Sequence, residues 1–250
     1  MKKKFIPIIG TISAGKSTFL KAILGINVLE TGVTTTTKFV CLIKNSPKLN
    51  FYQVIPIYEN GIYFSKKGEE FDNEENIKIK IEEINNNLSK NKYQKNEIFY
   101  MLEVPIKSIN NRELLENCYF MDIPGLNEKD TNYIEDIFSY ITLNDILFQI
   151  IIFDSTSIGS DNILNIFEEL YKLNCLIKEN NVFILNKIDL CSDGNIIDTF
   201  KEYFYQNFED EKNHNKIEIN LSKNNFIPFN SLLYQAETLV NEEFFFFYFI

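Results

Sequence analysis

One arginine, Arg112, and one histidine, His214, are all that 250 residues supply of those types, and tryptophan is absent. A serine–histidine–aspartate triad needs a histidine beside its nucleophile, and histidine-rich metal sites need several. His214, flanked by Asn213 and Asn215, reads instead as a loop residue, so neither chemistry is expected. Cys41, Cys118, Cys175 and Cys191 stand far apart with no C-x-x-C pair, which predicts free thiols in a reducing compartment, by default the cytosol. Positive charge is scarce: 25 Lys and Arg face 35 Asp and Glu, a net charge of −10. No segment concentrates enough cations to neutralise a phosphate backbone, so nucleic acid is excluded as a general partner. Long apolar runs are missing too. The lysines of Met1–Phe5 precede only Phe5–Ile9, which contains Pro7 and stops at Gly10, and Phe244–Ile250 is far below the ~20 residues of a membrane span. A leader and a transmembrane helix are therefore not expected.

What is present is enough apolar material for a core, 45% hydrophobic against 24% charged, which excludes a wholly disordered chain. Asparagine is frequent, as in Asn85–Asn87, and favours turns without carrying a chemical role here. Short apolar runs at Phe5–Ile9, Phe39–Ile43, Cys118–Ile123, Ile146–Phe153, Val182–Leu185 and Phe226–Phe229 read as strands. Helix-like stretches at Lys16–Leu24, Thr131–Leu143, Asp161–Lys178 and Ile196–Phe208 alternate with them. This pattern predicts the α/β class, with a mostly parallel central sheet and helices on both faces. The segment 59–96 breaks the rhythm. It is rich in Glu, Lys and Asn, and Ile77–Ile81 alternates like a strand while Ile77, Ile81, Ile84 and Leu88 recur at helical spacing. A solvated helix within an insertion is the favoured reading. With no internal repeat and no Pro/Gly/Ser linker, residues 1–250 are expected to form one domain carrying that insertion.

Three segments carry chemistry. Gly10–Ser17, GTISAGKS, fits G-x-x-x-x-G-K-S/T between an apolar strand and an amphipathic helix. Glycines let backbone N–H groups turn inward around a triphosphate, Lys16 reaches its outer phosphates, and the Ser17 hydroxyl can ligate Mg2+. Gly10, Ser13, Ala14, Gly15, Lys16, Ser17 and Thr18 are thus candidate nucleotide-binding residues. Asp122 and Gly125, in D-I-P-G, end the strand at Cys118. A carboxylate there can partner Mg2+, and the glycine N–H can meet a γ-phosphate. Asn186, Lys187 and Asp189, in N-K-I-D, end the run Val182–Leu185. The Asp189 carboxylate can accept from guanine N1–H and the exocyclic amine, which adenine does not supply; Asn186 can bond the ring edge and brace the P-loop, and the Lys187 stem can cover the base.

These motifs in this order, with Leu20–Gly25 and the threonine-rich Gly32–Thr37, resemble the dynamin superfamily of large GTPases over roughly Ile6–Ser231. The resemblance implies a P-loop G domain that binds GTP or GDP with Mg2+, hydrolyses GTP, and self-associates in membrane remodelling. It also implies a switch threonine that ligates Mg2+, best matched by Thr36 with Thr35 and Thr37 as close rivals, and a weak fifth guanine motif at Asn230–Ser231. Ser13, Lys16 and Thr36 are then the candidate catalytic residues, and Ser17, Thr36 and Asp122 the candidate metal set.

The departures are as informative. Where the family commonly places a water-orienting glutamine before Ser13, this chain has Ile12, and Leu126 follows Gly125 where small GTPases carry theirs. Slow intrinsic turnover is expected, rising on self-association. An Era-like or septin-like GTPase, and a non-hydrolysing GTP-bound interaction module, are the alternatives. Arg112, in the polar stretch before Cys118, reads as a solvated side chain rather than an arginine finger. Nineteen residues follow Ser231, one helix of at most ~28 Å, so this polypeptide is expected to have no lever arm and to meet membranes only through further or partner segments. The run Phe244–Ile250 is expected either to pack on the sheet or to stand exposed and promote association.

Overall fold

The computed structural model describes residues 4–29, 39–48, 52–57, 68–90, 99–108, 116–125, 145–157, 181–191, 195, 198–200, 202–203 and 226–230. Its described strands are β1 (Lys4–Gly10), β2 (Val40–Asn45), β3 (Tyr52–Ile57), β4 (Glu69–Phe71), β5 (Phe99–Val104), β6 (Cys118–Asp122), β7 (Gln149–Asp154), β8 (Asn181–Asn186) and β9 (Phe226–Phe229). They form one sheet in the order β4-β3-β5-β2-β6-β1-β7-β8-β9. From β6 through β9 every neighbouring pair is parallel. β2 runs antiparallel to β6 and parallel to β5, and β3 is antiparallel to both β5 and β4. The α/β class is as expected, and the six predicted strands recur with small shifts. β7 starts at Gln149, three residues later than expected, because Ile146 forms only an isolated bridge to Phe5 and Leu147 is exposed.

β1 is buried along nearly its whole length because strands flank it on both sides. Proline in an interior strand would normally remove a ladder bond. Here Leu147 N–H donates to the Phe5 carbonyl, so the backbone polar groups of alternate residues from Phe5 face β7. Pro7 falls between the Phe5–Ile146 bridge and the start of β1–β7 pairing at Ile8–Ile150, where an N–H has no partner to lose. The strand order turns around β1, with β6 on one side and β7 on the other. Such a switch point opens a crevice beyond the carboxyl ends of the strands.

Helix α1 (Lys16–Leu24) follows β1 directly and lies against the core through Phe19, Leu20, Ala22 and Leu24. Phe19 meets Phe229 of β9 edge-on at 5.0 Å, tying the helix to the far side of the sheet. Gly25 ends it in the left-handed region at φ 62°, and Lys107 N–H, just beyond β5, donates to the otherwise unmatched Leu24 carbonyl.

Helix α2 (Glu74–Lys90) occupies the charged insertion. Asn73 Oδ1 caps it by accepting from Asn76 N–H at 2.9 Å, and Glu74 and Glu75 place negative charge in its first turn. The helical reading is therefore the right one, but the helix is docked rather than merely solvated. Ile77 is 0% exposed and Ile81 and Ile84 are buried in the main core, whereas Ile79, on the opposite face, is 55% exposed. Ile77→Ala is expected to destabilise the chain by about 2–4 kcal/mol and Ile79→Ala by under ~0.5 kcal/mol. Equal effects of the two in urea melts would mean that α2 is not packed this way.

β3, β4 and β5 were not expected from the sequence. Cys41, Cys118 and Cys191 are free thiols, and Cys175 lies outside the described residues. So do the predicted helices at 131–143 and 161–178; from 196–208 only 198–200 and 202–203 are described, and they are helical. Among the described residues no helix is long and apolar enough to cross a membrane.

Candidate functional site

The carboxyl ends of β1, β6, β7 and β8 bring the three sequence motifs to one edge of the sheet. The loop from β1 to α1 is tightly constrained. A side chain at Gly10 would collide with the Ile152 carbonyl oxygen of β7. Ser13 adopts φ 61° and Gly15 φ 90°. A left-handed non-glycine costs about 1–2 kcal/mol, so the turn at Ser13 is held by its surroundings rather than by local preference. One of those surroundings is Asn186, 2% exposed at the end of β8, whose Nδ2 donates to the Ala14 carbonyl at 2.9 Å. A Cβ at Gly15 would strike that same amide. The two motifs, 172 residues apart in sequence, are thus interlocked.

α1 begins with no side-chain cap and no acidic residue in its first turn. Its leading N–H groups and the positive end of its dipole form an anion-binding end. Thr18 is half-buried on that turn, and the exposed Ser13 stands beside it in the loop. Lys16, which the sequence presents as a residue without a packing role, is 7% exposed and folded onto the loop: its Nζ donates to Gly10 O at 3.1 Å and Thr11 O at 2.8 Å. Burial lowers its pKa from 10.5 to about 8, against the opposing pull of Asp122. An ammonium held this way is under-compensated, and phosphate oxygens are better partners than two carbonyls.

Ser17 Oγ donates to Asp122 Oδ2 at 2.8 Å, and Asp122 is 0% exposed. This pair is all oxygen, one hydroxyl and one carboxylate, which suits a hard cation. Mg2+ usually takes only one or two protein ligands and completes its shell with phosphates and water. Asp122 also faces Cys41 across the β2–β6 ladder, where burial first and then the carboxylate push the thiol pKa well up, keeping Cys41 neutral. Beyond Asp122, Gly125 lies against Ile12: a Cβ at Gly125 would come within 2.7 Å of Ile12 Cα and 2.8 Å of its Cγ1. The D-x-x-G segment and the P-loop are therefore in direct van der Waals contact.

At the other flank, Asn186 is the register partner of Asp154 at the end of β7. Lys187 takes the left-handed conformation at φ 61°, and its Nζ donates to Asp154 Oδ2 at 2.6 Å. A 3-10 turn at Ile188–Leu190 follows and leaves Asp189 exposed at the rim. Asn230 is half-buried directly after β9. Thr35, Thr36, Thr37, Leu126, Ser231, Arg112 and His214 lie outside the described residues. Sequence reasoning passed over Asp154, although a carboxylate ending a buried strand, the feature that singled out Asp122, recurs there.

Residues 6–188 match the family model described as Dynamin family. No curated protein matches the chain in sequence. Among solved structures it is similar to a bacterial dynamin, part of an oligomerised pair that provides a mechanism for the long-range sensing and tethering of membranes. The TM-score is 0.59 at 14% identity, over 94% of this chain and 34% of that one. The likeness is thus one of fold, and this chain spans about a third of that protein's length. On the family match, which runs from within β1 through β8 and takes in the P-loop, the D-x-x-G segment and the first three residues of N-K-x-D, the chain belongs to the dynamin family.

Proposed function

We propose that residues 1–250 form a G domain, with an insertion at 59–96, that binds GTP with Mg2+ and hydrolyses it slowly. The observation that carries this reading is the interlock at the sheet edge: Asn186 bonded to Ala14, Ser17 bonded to Asp122, and Gly125 packed on Ile12. In this reading the α1 N-terminus and the N–H groups from Gly10 to Thr18 hold the phosphates, and Lys16 exchanges its two carbonyls for phosphate oxygens. Ser17, Asp122 and the switch threonine, Thr36 or its neighbours Thr35 and Thr37, would hold Mg2+. When bound, that ion supplies charge neutralisation on the outer phosphates. Asp189 reads the guanine edge, Asn186 braces the loop, Lys187 covers the base, and the backbone at Asn230–Ser231 completes the pocket.

Hydrolysis needs a group that orients water, and the Ile12 side chain, set against Gly125, offers no hydrogen bond for the purpose, which leaves Ser13 and backbone carbonyls. Ser13 is the nearby polar candidate. We therefore assign slow turnover to the isolated chain and faster turnover on self-association at a membrane surface, and from its free thiols a cytoplasmic location. The bacterial dynamin of similar fold is oligomerised and linked to membrane tethering, which favours this setting.

Binding of a fluorescent GTP analogue to the purified chain, followed by single-turnover phosphate release, tests the proposal. Displacement by GTP and GDP but not by ATP, weakened by EDTA, is expected, with release that quickens as protein concentration rises. Equal affinity for ATP and GTP would overturn the nucleotide assignment. Tight, selective binding without phosphate release would favour the non-hydrolysing module, the reading to which the apolar Ile12–Gly125 contact lends weight.

A further inference from the structure

We infer that Asp154 is the positioning residue of the base site, setting the Lys187 side chain as the wall against which a guanine ring rests. This rests on the guanine-nucleotide reading above and adds a member that the three motifs do not contain. The carboxylate is held on both sides. Its Oδ1 accepts from Thr156 N–H at 3.0 Å and from Thr156 Oγ1 at 2.6 Å, within a short turn that Ser157 Oγ closes by donating to the Asp154 carbonyl at 2.8 Å. That leaves Oδ2 directed at Lys187, whose Nζ donates at 2.6 Å. Burial works against the charge on Asp154, yet the bonds from Lys187 and Thr156 outweigh it and hold the carboxyl below its usual range. Asp154 is therefore a carboxylate at neutral pH.

A lysine stem has four rotatable bonds and loses little by wandering in solvent. Lys187 is already committed at its base by a left-handed backbone, and the salt bridge fixes its tip, so its stem spans from the end of β8 to Asp154 at the end of β7. Neither end is free before nucleotide arrives. Preorganisation of this kind raises affinity by removing the ordering cost at the moment of binding. It acts on the base, so it serves GTP and GDP alike and leaves the phosphate end untouched.

Asp154→Asn keeps the shape and the Thr156 cap but removes the charge. Affinity for fluorescent GDP and GTP is expected to fall equally, by about 5- to 20-fold, as for loss of a partly buried charged partner. Lys187→Met, which keeps the stem and removes the ammonium, is expected to fall similarly, and the double variant to be no weaker than either single one, because both changes break one device. A merely structural aspartate would lower the melting temperature while giving additive or no effects on affinity. If the parent chain shows no preference for guanine nucleotides, the functional reading itself fails. If the parent binds selectively and Asp154→Asn matches it, or the two substitutions add, the positioning role is wrong and the functional reading stands.

Discussion

Lys16→Ala is expected to weaken GTP binding by on the order of 100- to 1000-fold, the scale of deleting one partner from a desolvated charged contact. The nucleotide-free protein is expected to remain folded. These two outcomes differ because of where Lys16 sits. It is nearly buried before any phosphate arrives, and its pKa of about 8 against an ordinary 10.5 corresponds to roughly 3 kcal/mol disfavouring the charged form. Asp122 offsets that burial only in part, although the ammonium also donates to the carbonyls of Gly10 and Thr11. Alanine removes the cost together with the two hydrogen bonds, so the melting temperature of the empty chain should hold or rise slightly. Calorimetry with GTP, read beside thermal melts of both proteins, checks the pair of results. Unchanged GTP affinity would show that this loop is not a phosphate cradle, and unfolding of the variant would show that Lys16 holds the loop structurally.

The parts of this molecule that the sequence made readable are those fixed by local chemistry. A continuous apolar strand, a glycine-rich turn and an amphipathic helix occur in order from Phe5 to Leu24, and each is decided by residues within one turn of itself. The same holds for the strands that end in Asp122 and Asn186. β3 and β5 were not readable in this way. β5 carries Glu103 within a buried run, and β3 carries Pro56, both marks against an interior strand. Glu103 is tolerated because Lys44 stands opposite it in the β2–β5 register, with Nζ 3.7 Å from its carboxylate, a contact between residues 59 positions apart. Only the assembled sheet supplies that partner.

The site divides along the same line. Lys16, Ser17, Asp122, Asn186 and Asp189 were named from motif spacing alone, since each motif places its groups by the geometry of one strand end. What spacing could not show is how the segments meet: that Asn186 reaches Ala14, that Ile12 abuts Gly125, and that Lys187 turns back onto Asp154. Each of these is a contact between different strand ends, created by the order β6-β1-β7-β8. The α2 insertion is an intermediate case. Its helical period was visible, yet its docking through Ile77, Ile81 and Ile84 depends on a core that lies elsewhere in the chain.

Asp189→Asn is expected to invert base preference rather than simply weaken binding. The carboxylate can accept two hydrogen bonds, and guanine presents two donors, N1–H and the exocyclic amine, on one edge. The asparagine amide offers one acceptor and one donor side, so an amine on guanine would face an N–H and lose its partner, at about 1–3 kcal/mol for each polar group left unmatched. Xanthine carries an oxygen where guanine carries the amine, and that oxygen accepts from the new amide. GTP affinity should therefore fall about 100-fold or more while xanthosine triphosphate gains, a crossover of preference that global destabilisation does not produce. The setting of Asp189 makes the substitution local: it is exposed at the rim, on the 3-10 turn after Lys187, and no core packing depends on it. The Asn186–Ala14 and Lys187–Asp154 bonds approach from other residues and should survive. Competition of GTP and xanthosine triphosphate for a fluorescent analogue on parent and variant reads the result directly. Parallel loss of both nucleotides in the variant would place the guanine-reading group elsewhere, and unchanged GTP preference would remove Asp189 from the base site altogether.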